Sequence, residues 1–174
     1  MRALKIPLVL ILVSSTMGGQ TALRKELRVK IESISPTSSG FNIVSSVTNL
    51  GSHPVILAKA ADPHRGTLQS LNVEQWDEKL GWQAVGPCRD VVSDLTVSLQ
   101  PNETIRNTIP IGDMPHGWNS SVCPRKIEHL GGKVRSILYY AYESEEKYQN
   151  RMLGRDVNRV NIVSTPVELS TKKR

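Results

Sequence analysis

Apolar residues at every second position, broken by turn-forming clusters at intervals of roughly ten residues, constrain this chain more than any other feature. Leu27, Val29 and Ile31 alternate with Arg28, Lys30 and Glu32, a pattern that only a strand sorts onto two faces. The same alternation sets Phe41, Ile43 and Val47 against Asn42, Ser46 and Thr48. It returns with Leu95, Val97 and Leu99 against Thr96, Ser98 and Gln100, and with Ile105, Ile109 and Ile111 against Arg106 and Thr108. Further strands are expected at Pro54–Ala58, Thr67–Trp76, Trp82–Val85, Lys133–Tyr142 and Val160–Leu169, the last with Pro166 marking a bulge or an edge. The punctuation is equally regular: Pro36 to Gly40, Asn49 to Ser52, Asp77 to Gly81 with Gly81 free to take a positive φ, and Pro101-Asn102-Glu103. Helical periodicity is nearly absent, leaving Cys123–Leu130 and Ser144–Tyr148 as candidate short helices. An all-β antiparallel sandwich of about eight strands is therefore expected, with Val29 and Val97 inward and Lys30 and Ser98 outward.

The N-terminus sets the compartment. Arg2 and Lys5 precede the apolar run Ile6–Val13, followed by small and polar residues up to Ala22, the layout of a secretory signal peptide over residues 1–22. The run is too short to cross a hydrocarbon core by itself, and an uncleaved anchor is the alternative that the same segment leaves open. Residues 23–174 then form one domain, secreted or periplasmic, with no membrane span once the signal is removed. Cleavage takes away two of the 22 basic residues and none of the 16 acidic ones, so the formal charge falls from +6 to +4. In an oxidising compartment Cys88 and Cys123, which lack CxxC spacing, are expected to form a disulfide worth roughly 4 kcal/mol in the chain-entropy model.

The segment Val44-Ser45-Ser46-Val47-Thr48-Asn49-Leu50-Gly51-Ser52-His53-Pro54-Val55 resembles the strand-turn-strand pattern "vTNxGxxPv" of exported bacterial immunoglobulin-like sandwiches. Leu99-Gln100-Pro101-Asn102-Glu103-Thr104 is similar to the "LxPGE" turn found further along in such domains, with Asn102 where glycine is usual. The resemblance implies an immunoglobulin-like fold akin to the sandwich domains of the BsuPI-type proteinase inhibitors. It carries no functional residue across.

Motifs for catalysis are missing. His53, His64, His116 and His129 lack the spacings of zinc ligands, and there is no nucleophile elbow, phosphate-binding loop or dinucleotide fingerprint. Glu145-Glu146 sits in a charged run, where solvation explains it. Basic residues are scattered among acidic ones instead of forming a stripe with stacking aromatics, which argues against nucleic acid as a partner. No enzyme activity, metal or cofactor is expected.

What is left is recognition. The expected role is a non-catalytic binding domain for a protein or cell-envelope component, reading through the loop Gly112–Ser121, where Met114, His116 and Trp118 fall outside any alternation. The Cys88–Cys123 bridge would hold one side of that loop. The alternative is a carbohydrate-binding module using Trp76, Trp82 and Trp118 as a platform, set against the expectation that these rings and Tyr139, Tyr140 and Tyr142 fill a core with only one Phe. Asn102-Glu103-Thr104 and Asn119-Ser120-Ser121 are sequons that would accept glycans only in a eukaryotic secretory pathway.

Overall fold

The structure is a computed structural model that describes residues 25–38, 40–59, 68–85, 95–112, 132–155 and 160–169. The expected signal peptide, residues 1–22, lies outside them. Among the described residues the chain is all β apart from one short helix. Its elements are β1 (Leu27–Pro36), β2 (Gly40–Asn49), β3 (Val55–Ala58), β4 (Leu71–Asp77), β5 (Gly81–Ala84), β6 (Thr96–Leu99), β7 (Thr104–Gly112), β8 (Gly132–Leu138), α1 (Glu145–Met152), β9 (Ile162–Val163) and β10 (Val167–Leu169). No helix among these residues is long and apolar enough to cross a membrane.

One sheet has the order β1-β2-β7, a second the order β10-β8-β4-β5 with β9 added on β8, and β3 pairs with β6 separately. Every pairing between strands is antiparallel. The alternation decides which side of each strand is dry. Leu27, Val29, Ile43, Val47 and Ile109 from the first sheet meet Leu71, Val73, Val134 and Leu138 from the second in one core, joined by Val55, Leu57 and Leu99 of the β3–β6 pair. Each fully buried aliphatic side chain of this kind stabilises by roughly 1.5–3 kcal/mol relative to an exposed one. Val29 is buried and Lys30 exposed, as the pattern requires, whereas Val97 is only half-buried, with Ser98 exposed.

Three details differ from the sequence reading. Among the described residues ten strands form where about eight were expected: each of the nine alternating stretches yields a strand, and Ser164, Thr165 and Pro166 split the last into β9 and β10. The expected strand Lys133–Tyr142 stops at Leu138, and the chain then runs on until Tyr142 bridges Ile56 of β3. The core is also more aliphatic than a single Phe suggested: neither Trp76 nor Trp82 enters it, and Tyr142 and Tyr148 fill a small satellite cluster with Ala58 instead. The strands supply enough Val, Leu and Ile that the large rings are not needed inside.

The charged stretch after Ser144 becomes α1. Ser144 is extended and its hydroxyl caps the Lys147 N–H, Glu145 and Glu146 sit in the first turn, and Arg151 lies in the last, each at the end where the helix dipole favours it. Only Tyr148 is buried, its ring edge-on to Tyr142 at 5.3 Å between centroids.

The two stretches that carry the family resemblance meet at Asn49. Its Nδ2 donates to the carbonyls of His53 (2.8 Å) and Leu99 (3.0 Å), and its Oδ1 accepts from Gly51 N (2.9 Å). Its own backbone accepts from Asn102 N (2.8 Å) and donates to the Glu103 carbonyl (3.0 Å). Asn102 has φ +63°, the left-handed conformation that glycine tolerates best and asparagine next, so the residue that departs from the "LxPGE" pattern still meets its backbone requirement.

Candidate functional site

The loop residues Met114, His116 and Trp118 and the cysteines Cys88 and Cys123 lie outside the described residues, as do His64 and His129. His53 is exposed in the turn after β2, with Nδ1 2.9 Å from Ser52 Oγ. Among the described residues no three His, Cys, Asp or Glu side chains gather as a metal site.

The two other tryptophans come together on the outer face of β4 and β5. Asp77 Oδ1 accepts from the backbone N–H groups of Lys79 (2.8 Å) and Leu80 (2.9 Å), and Gly81 takes φ +74°, which closes the hairpin and pairs Asp77 with Gly81. That register places Trp76 directly opposite Trp82. Their centroids are 5.4 Å apart with planes at 67°, an edge-to-face pair. Trp76 is 43% exposed and Trp82 half-buried.

Behind the pair stands a charged cluster that the sequence reading missed. In β4, Glu74 alternates outward with Trp76, and β8 sets Arg135 opposite Glu74. Arg135 Nε and Nη2 both donate to Glu74 Oε2, at 2.9 and 2.8 Å, while the Tyr139 hydroxyl donates to Oε1 at 3.0 Å. The guanidinium also lies over the Trp82 ring, 4.1 Å from its centroid. Glu74 is buried although its face of the sheet is the outer one, so three charge-assisted bonds replace the water it has lost. Sixty-one positions separate Glu74 from Arg135, and nothing short of the strand register announces the contact.

The arrangement can hold a shape. Three donors hold the Glu74 carboxylate in place, and Arg135, set between Glu74 and Trp82, fixes the tryptophan, which in turn buttresses Trp76. The result is one exposed aromatic ring on a sheet instead of a loop. Because the planes are at 67° and Arg135 covers one face of Trp82, the two rings do not make a flat platform. Neither a protein-family model nor a curated protein or solved structure matches the chain.

Proposed function

We propose that the chain is an exported, immunoglobulin-like sandwich domain that works by binding, without catalysis, to another protein or a cell-envelope component. The order of strands supports the immunoglobulin-like reading: β1, β2 and β7 share one sheet while β4, β8 and β10 share the other, so the chain changes sheets as Greek-key sandwiches do. The observation that carries the binding reading is Trp76, an exposed ring braced by Trp82, Arg135 and Glu74. Tryptophan and arginine held rigidly at a surface are the residue types on which protein recognition concentrates its energy.

The experiment is a comparison of wild-type protein with Trp76→Ala in a pull-down from envelope extract, alongside thermal melts of both. A partner kept by the wild type and lost by the variant, at nearly unchanged melting temperature, supports the reading; the affinity loss expected is at least ~2 kcal/mol. A partner kept equally by both rejects this face. Saccharide-dependent quenching of tryptophan fluorescence, without a protein partner, assigns the ring to sugar stacking instead.

A further inference from the structure

The strand β1 is ten residues long, and among the described residues it pairs only with β2. Its far edge presents a row of backbone donors and acceptors, which is the usual starting point for unwanted strand pairing. Among the described residues the other edges of the two large sheets are blunted differently: β5 has four residues, β10 three, and β7, which pairs there only with β2, carries Pro110 with no N–H to offer.

Edge β1 is interrupted by one residue. Ile31 pairs with Ser45 and Ser33 with Val44, so Glu32 has no partner of its own and forms a bulge. The apolar pattern requires it: Leu27, Val29 and Ile31 point inward at a spacing of two, yet Ile34, opposite Ile43, comes three after Ile31. Without the extra residue the alternation from Leu27 to Ile34 would be unbroken. The Glu32 side chain folds back over the sheet, with Oε1 accepting from Ser46 Oγ at 2.7 Å and Oε2 from Lys30 Nζ at 3.1 Å.

We propose that Glu32 is an inserted guard: its bulge and its charge keep the β1 edge from pairing with β1 of a second copy of this chain. A second copy is the natural occupant, since in antiparallel two-fold pairing the edge needs only itself, and every copy carries it. The bulge bends and twists the edge so that two such strands do not lie flat, and the carboxylate is held at the break by Ser46 and Lys30.

Deletion of Glu32 tests this directly, because it keeps every core residue facing inward while making the strand regular. Sedimentation velocity over a concentration series, with amide exchange on the same samples, reads the outcome. The wild type is expected to stay monomeric, and the deletion variant to dimerise at least about tenfold more tightly, with slowed exchange across Arg28–Ile34. Glu32→Val keeps the residue count but removes the charge; it is expected to associate more weakly than the deletion and more strongly than the wild type, and it decides the matter if the deletion variant does not fold. Folded variants that remain as monomeric as the wild type, or that associate with no added protection in β1, overturn the proposal.

Discussion

Asn49 Nδ2 lies 3.0 Å from the Leu99 carbonyl, so one side-chain amide ties the turn after β2 to the end of β6. The same amide serves His53 and Gly51, and Asn49 is completely buried. Asn49→Asp keeps the shape and the acceptor for Gly51 but removes both donors, leaving two carbonyls facing a carboxylate. It is expected to lower stability in urea unfolding by about 2–4 kcal/mol, at least as much as Asn49→Ala. A loss below about 0.5 kcal/mol for both variants would show that the turn does not depend on this side chain.

The Glu74–Arg135 pair is mostly shielded from water, with side-chain exposures of 9% and 21%. Arg135→Met leaves a buried carboxylate with only Tyr139 to satisfy it and is expected to cost about 2–3 kcal/mol, discounted from the fully buried case for the exposure of Arg135. Replacing both partners, as Glu74→Leu with Arg135→Met, should recover most of that loss. If the double variant is less stable than Arg135→Met alone, burial of the charge is not what the single substitution exposes.

The Glu32 carboxyl sits below its ordinary value of 4.5, chiefly because the Ser46 hydroxyl donates to its charged form and then because Lys30 does; these two bonds prevail over the opposing desolvation, and the charges of Lys30 and Arg106 add smaller pulls. A carboxyl lowered by folding contributes stability that is fully present above its unfolded value and is lost as pH falls through the folded one. The window is therefore below 4.5, where wild-type protein should lose more stability on acidification than Glu32→Gln does. Because the group is half-exposed, added salt should shrink the difference. Parallel acid titrations of the two proteins in urea make the comparison, and identical pH profiles would remove Glu32 from the account.

Cys88 and Cys123 are expected to be bonded in protein recovered from the exported fraction. Intact mass with and without reductant decides it, and two thiols that alkylate without reduction reject the bond. Cys88→Ser is expected to cost some ~2–5 kcal/mol.

Much of the fold can be read from the chain because a strand writes its orientation into every second residue. Val29 and Lys30 are sorted by that rule alone, and Gly81 and Asn102 by the turns they must make. The bulge at Glu32 is not anticipated by it: alternation makes Glu32 the next outward residue of a regular strand, and the only trace of the bulge in the chain is the single step by which Ile34 falls out of phase. Val97 is half-buried while Leu99, two residues on and in phase with it, is fully buried, a difference that the alternation alone does not encode. The site was half legible. Trp76 and Trp82 are linked by a local hairpin, but Glu74 and Arg135 meet only through register between distant strands, and no local pattern encodes that.

Where the inner faces of the two large sheets meet, Ser45 Oγ and Ser136 Oγ share a hydrogen bond of 2.6 Å, fully buried, with the Ser136 N–H bonded in turn to Ser164 Oγ. An aliphatic interface is indifferent to small displacements, since one methyl group replaces another at little cost. Two hydroxyls facing each other across it are not. Sliding either sheet by one residue pair along its strands would strand both hydroxyls among Val and Ile side chains, without water or partner. The serines thus act as a key in a slot: they add little to the strength with which the sheets adhere and determine the single alignment in which they come to rest.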